Sequence, residues 1–423
     1  MAAVLSILLP AVVCAQPETQ SRGQAGPSGA ITAARLERIG FDGYYKLGRW
    51  TPAVVSVEGG SAAAVRVIAR APDPEGCPTA LPHDARIETA ARRTLTVLFK
   101  NGRLGADPRF ELSELDDDGN AVRTFDVSRS EGQRPRPALR QSAYLIAVIG
   151  KPAGFIEQSE TGSSRAGPQP AAADERLALH VAHVSGDELP TDPAGFDALD
   201  ALVVAGQYDL DEPHSDAVRA WVRLGGHLVV SVGADVESYL ESRLGRWISG
   251  EPGDAAGAPI PLSGRAPVRL LELSGLESYS GQRVPIEIPR RDGVPAAVVE
   301  RTAGTALVRA RGDLPLVVRT AYGLGRITFI AVDFDRPPLS EWTPLAAVAQ
   351  KLLGLGDGSQ SAARARTGRL AHSGITDLAS QLARAQRDFP AVNRSSMWTV
   401  MGLLVGYLLL IGPLDYVLVH RLL

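Results

Sequence analysis

Cysteine is nearly absent: the 423 residues contain two, Cys14 and Cys77. Removal of an export signal over residues 1–15 leaves Cys77 alone, so neither an intrachain disulfide nor a thiolate metal cluster can hold the fold. Lysine is almost as scarce, standing only at Lys46, Lys100, Lys151 and Lys351. Arginine carries the rest of the basic charge and, beside so much alanine and glycine, reads as genomic base-composition bias and not as a functional set. Nor does one sign of charge prevail. The 44 basic residues face 47 acidic ones, which leaves no positive field for a polyanion and excludes nucleic acid as an expected partner.

Apolar runs stand at both ends. Residues 4–13 form a short one, and Val13-Cys14-Ala15 before Gln16-Pro17 resembles a small-residue cleavage site, so 1–15 reads as a signal peptide despite the lack of a preceding Lys or Arg. Residues 397–412 carry no charge, and the run resumes through Val419 with Asp415 as its one acid. About 20 apolar residues cross a bilayer, so a transmembrane helix is expected at 396–423. Export plus that span places the bulk of the chain outside the cytoplasm, on a bacterial cell membrane. Arg394 and Arg421 flank the span on both sides, so flanking charge does not set its orientation.

Between the ends, composition shifts divide the chain. Residues 16–30 are a Pro/Gly/Ser/Gln leader without periodicity. Short β-branched or alternating runs at 50–57, 64–68, 94–99, 110–112 and 122–127, broken by Gly59-Gly60, Asn101-Gly102 and Asp118-Gly119-Asn120, predict a β-sandwich over 31–140. From 141 to 355 the pattern alternates. Continuous apolar runs at 144–149, 177–184, 199–205 and 227–232 read as strands buried on both faces, and 213–224, 235–244 and 341–353 carry helical stripes. That order predicts a parallel sheet with helices on both faces, and further strands at 297–332 read as an appended β-meander. Residues 157–175 read as a surface loop, and 356–395 as a linker with a short helix at 376–387.

Four of these segments carry a resemblance: 200–206, the helix 217–226, the strand 227–233 and the late Tyr322-Gly-Leu-Gly-Arg-Ile-Thr-Phe-Ile-Ala-Val-Asp333. In that order they resemble the class I glutamine amidotransferase-like domain found in large bacterial membrane proteins of the envelope. The stretch 410–421 is similar to those proteins too, in which more transmembrane sequence often follows. The resemblance implies a flavodoxin-like sheet over 141–355. It also locates the family's nucleophilic cysteine, on the tight turn after a central strand, and here that turn is Gly233-Ala234-Asp235. No thiol stands there, and no His-x-Glu pair follows, so a catalytically empty domain is expected.

Ser231 lies within a strand, off any exposed elbow. Asp126, Ser128 and Ser130 fit a hard-oxygen metal pattern but run into a Pro/Arg linker. His180 and His183 are three apart in a strand and face opposite sides, and Arg311-Gly-Asp313 reads as a hairpin turn. Asp209, Asp211, Glu212 and His214 cluster in a strand-to-helix loop, at the sheet edge where open α/β folds bind ligands, and are the candidate ligand-binding residues; helix capping is their bland role. The expectation is a membrane-anchored extracytoplasmic recognition or scaffold protein, without catalytic residue, metal or cofactor, whose partners are the membrane and envelope proteins. The alternatives are a metal-dependent or sugar-acting hydrolase using the loop 209–214, and a multi-span assembly factor cut short at Leu423.

Overall fold

The computed structural model describes residues 31–88, 92–129, 136–156, 179–250, 257–282, 284–289, 293–300, 304–355, 397–409, 411 and 421. The expected signal and leader, the loop 157–175 and the linker 356–395 with its helix lie outside these residues. Residues 1–361 make one compact unit and 362–423 a second.

The first unit begins with eight strands: β1 (Ile31–Ile39), β2 (Trp50–Gly59), β3 (Ala63–Pro72), β4 (Pro78–Ile87), β5 (Arg92–Lys100), β6 (Arg109–Leu115), β7 (Ala121–Asp126) and β8 (Ser128–Arg129). They form two four-stranded sheets, ordered β5-β2-β1-β8 and β4-β3-β6-β7. Along β3 the side chains of Val65, Val67, Ala69 and Ala71 are buried in alternation with more exposed neighbours. Together with Val55, Val57, Phe99 and Leu112 they fill the space between the sheets.

The chain then alternates through β9 (Tyr144–Ile149), β10 (Leu179–His183), β11 (Ala201–Ala205), α1 (Glu212–Arg223), β12 (His227–Ser231), α2 (Val236–Glu241) and α3 (Arg243–Ser249). After β13 (Val268–Leu270), α4 (Ser274–Ser280) and β14 (Val294–Ala296) come β15 (Thr305–Arg309), β16 (Pro315–Tyr322), β17 (Gly325–Ile330) and α5 (Leu345–Leu353). Seven strands form one sheet in the order β10-β9-β11-β12-β17-β16-β15. The first five are parallel, and their chain order is that of flavodoxin-like sheets. Strands β15, β16 and β17 pair antiparallel in turn as a meander, and the meander is continuous with the parallel sheet because β17 also pairs in parallel with β12. Every residue of β9, β11 and β12 is buried, as both faces are covered.

One cover is unusual. The crossover from β10 to β11 has no α-helix, only the 3-10 turns Gly186–Glu188 and Pro193–Phe196. The sandwich packs on them. Phe41 and Tyr44 join one apolar cluster with Leu145, Leu202, Val204 and Phe196, and the rings of Phe41 and Phe196 lie 6.2 Å apart. Around this contact Arg49 pairs with Asp197 at 2.9 Å, the Trp50 N–H donates to the same carboxylate at 3.0 Å, and the buried Lys46 pairs with Asp200.

The expected transmembrane helix requires correction. In the second unit, helix α6 covers Met397–Leu409, 13 residues, or about 20 Å of rise, where a bilayer core needs about 30 Å. Among the described residues no helix is long and apolar enough to cross a membrane.

Phe41→Ala should lower unfolding free energy by about 3–5 kcal/mol, because it opens a cavity in the core shared by sandwich and sheet. Urea titrations followed by tryptophan fluorescence and by far-ultraviolet circular dichroism should give coincident transitions. Two separated transitions would show that this core does not couple the two parts.

Candidate functional site at the carboxyl edge of the parallel sheet

The parallel strands end together at an edge lined by Gly150 after β9, Gly206 after β11, Gly233 after β12 and Asp333 after β17. The Gly150 φ is +86°, and a Cβ there would stand 1.8 Å from the Ala205 carbonyl oxygen, so glycine alone lets the chain leave β9 beside β11. At the centre lies the turn that follows β12. Both oxygens of the buried Asp333 carboxylate accept from it, one from the Gly233 N–H at 2.7 Å and the other from the Ala234 N–H at 2.7 Å. A Cβ on Gly233 would lie 2.6 Å from the Asp333 carboxyl carbon. The carboxylate thus fills the space of a side chain at 233 and takes the Gly233 and Ala234 N–H groups of the turn.

Ser231 braces the same place from within β12. Its hydroxyl donates to the Val332 carbonyl at 2.8 Å and accepts from the Phe334 N–H at 3.0 Å. The Tyr208 hydroxyl donates to the Ser231 carbonyl at 2.7 Å, and its ring meets Tyr239 edge-on at 5.3 Å. Burial pushes the Tyr208 phenol well above its ordinary pKa, so it stays a hydrogen-bond donor. Asp333 is raised as well, first by burial and then by the charge of Asp335, against the pull of the two turn N–H groups. Arg336 pairs with Asp235 at the rim.

The four residues singled out in sequence sit beside this edge. Asp211 is the N-cap of α1: it accepts from the His214 N–H at 3.1 Å and contacts the His214 ring. That capping bond is the first cause holding its carboxyl below the ordinary value. Glu212 lies 3.4 Å from Arg243, and Asp209 is exposed. Two of the four are therefore tied together by the cap, and Glu212 turns toward α3. Among the described residues no group of three His, Cys, Asp or Glu comes together that could hold a metal ion. Asp126 ends β7 and Ser128 begins β8, while Ser130 lies outside the described residues. The Tyr44 and His180 rings lie 5.3 Å apart. Arg311-Gly-Asp313 forms the turn between β15 and β16, where Asp313 has φ +68° and pairs with Arg309 at 2.9 Å.

Sequence reasoning missed Asp333, Asp335, Asp235 and Arg336 as a group. One signal was present: an acid directly after an apolar strand run points to the ligand-binding edge of an open α/β sheet. The edge carries the carboxylates of Asp333, Asp335 and Asp235 and the guanidinium of Arg336. The Gly233 and Ala234 N–H groups are committed to Asp333 and so are not open to an oxyanion.

No family model matches the chain. No curated protein matches it either. Among solved structures, a cytoplasmic protein from Salmonella typhimurium LT2 aligns at 17% identity with a TM-score of 0.33, over 50% of this chain and 98% of that one. A second cytoplasmic protein from Salmonella typhimurium aligns at 12% identity, TM-score 0.32, over 50% and 98%. An exo-beta-1,4-mannosidase from Opitutaceae bacterium strain TAV5 aligns at 15% identity, TM-score 0.29, over 50% of this chain and 35% of the enzyme. Overlaps this loose assign no activity.

Two outcomes are expected. Asp335→Asn should lower the pKa of Asp333, since a repelling charge is removed, as read by carboxyl carbon NMR across an acid titration; an unchanged pKa would show that burial acts alone. Asp211→Ala should cost about 1 kcal/mol of stability through loss of the α1 cap, as measured by urea unfolding.

Proposed function

We propose that this chain is an extracytoplasmic recognition or scaffold protein whose amidotransferase-like α/β domain has no chemistry of its own. The Asp333 carboxylate carries the reading. It takes the two N–H groups of the turn after β12 and the space of a side chain at 233, the place where the resemblance puts a reacting thiol. Alanine follows at 234. The flavodoxin-like order of the parallel strands supports the resemblance, and the apolar run 4–13 with its cleavage-like Val13-Cys14-Ala15 supports export. Partners are then envelope proteins that read a rigid polar edge. Because the acceptors are braced by Ser231 and Tyr208, little ordering cost is added on binding.

The test uses 6-diazo-5-oxo-L-norleucine, a glutamine-derived electrophile, on the purified chain. Intact mass should stay unchanged and no ammonia should be released from glutamine. Stoichiometric labelling, with release of ammonia, would falsify the reading. For the recognition half, a photo-crosslinker in place of the exposed Gln207 should capture one defined envelope protein in living cells, and Asp335→Arg should abolish that capture. Capture that survives Asp335→Arg counts against the edge as the contact surface.

A further inference from the structure

At the opposite, amino end of the same strands lies a cationic cluster that the proposed function does not use. His227 opens β12 and stands in register with Arg326 of β17, while Arg319 of β16 stands opposite Thr328. Paired residues project from the same face of a sheet, so these four side chains share one face, the one covered by α5. Arg319 Nε donates to the Thr328 hydroxyl at 3.1 Å, and its Nη2 donates to the Leu352 carbonyl at the end of α5 at 2.6 Å. His227 Nε2 lies 2.9 Å from the same hydroxyl.

Proton counting sets the ring's tautomer. Thr328 Oγ1 already accepts from Arg319, and of its two hydrogen-bond partners among the described residues His227 Nε2 is the one that can take its proton. If Nε2 accepts, then Nδ1 carries the imidazole proton. His227 is 3% exposed, and its Nδ1 has no hydrogen-bond partner; Arg326 Nε is also buried without one. With that tautomer both orphan groups are N–H donors. Burial, with Arg326 and Arg319 nearby, holds the imidazole far below its ordinary pKa and therefore neutral. Among the described residues no carboxylate pairs with Arg319 or Arg326, whereas fourteen ion pairs elsewhere engage other basic residues.

We propose that the His227 Nδ1–H, Arg326 and Arg319 bind a small oxyanion, of phosphate or carboxylate size, at the amino edge of the sheet. Two buried donors without acceptors lose the hydrogen bonds they would make in water unless something accepts from them. An oxyanion supplies several acceptors at once and balances the two guanidinium charges. The partial exposure of Arg319 and Arg326 gives it access, and the burial of His227 limits it to a small ion. This site stands apart from the carboxyl edge, so its failure leaves the proposed function unaffected.

Inorganic phosphate is the probe, titrated into the full chain against sodium chloride of matched ionic strength. Phosphate should raise the melting temperature in a saturable way and shift the nitrogen resonance of His227 Nδ1. Arg326→Gln should weaken phosphate binding at least about tenfold, and Arg326→Lys should retain part of it, because charge is kept while the fork geometry is lost. Three results would overturn the proposal: identical melting in phosphate and chloride, a His227 resonance that does not move, or phosphate stabilisation that persists undiminished in Arg326→Gln. Should Arg326→Gln fail to fold, the Arg326→Lys titration and the His227 resonance decide.

Discussion

The fold depends on the sandwich standing in for a missing helix. A parallel sheet needs cover on both faces, and the connection from β10 to β11 supplies only two short turns where doubly wound folds place an α-helix. Phe41 and Tyr44 cover that gap. Asp200 fastens them in place: one oxygen accepts from the Leu145 N–H of β9 at 2.7 Å and also pairs with Lys46 from the sandwich. Burial drives the Lys46 ammonium pKa down and Asp200 pulls it back up, so the pair holds position at a desolvation cost and is weak as a net source of stability. Apolar area supplies the energy, at about 1.5–3 kcal/mol for each large side chain fully buried, and the ion pair supplies the register.

How far the sequence could be read depends on how regular each element is. Runs such as Tyr144–Ile149 and His227–Ser231 were plain because a strand buried on both faces has no polar positions to obscure it. Strand β1 was not recognised, for a physical reason. Its pairing with β2 slips between Ile31 and Ala33 and again between Leu36 and Arg38, and each bulge shifts the phase of an alternation that periodicity requires. Strand β4 carries Pro78 and Pro82, which argue against a strand anywhere but on an edge, and the edge of its sheet is where it lies. The single helix expected at 235–244 is two, because Ser242 ends α2 and its hydroxyl caps α3 by accepting from the Gly245 N–H at 3.0 Å.

Pairing partners are a different kind of information. The run that became β17 was visible, but its place between β12 and β16 was not, since an apolar strand carries no mark of its neighbour. The same limit hid the candidate site. Asp211 and His214 are close in sequence and were noticed, yet they meet as a helix cap. Asp333 reaches across a hundred positions to Gly233 and looks in sequence like any acid that ends a strand. At the tail, the uncharged run 397–412 contains a described helix of 13 residues, Met397–Leu409. An uncharged run states what a segment can be buried in, while its helical extent depends on hydrogen bonding along every turn.

The two chemistries assigned to the sheet share a single cause, the register between β12 and β17. His227 opposite Arg326 and Ser231 opposite Ile330 are ends of the same five-residue pairing. The strand from His227 to Gly233 is about 20 Å long. Alternation fixes this register, because Leu228 and Val230 pack into one apolar cluster and Val229 into the other. A slip of one residue would exchange them between the faces, which the packing on both sides forbids. It would also carry His227 away from Arg326 and draw Gly233 out of the Asp333 carboxylate. Apolar residues with no polar role therefore hold both polar groups in place, and the one-letter character of the strand, five buried residues in a row, says nothing of the work done at its two ends.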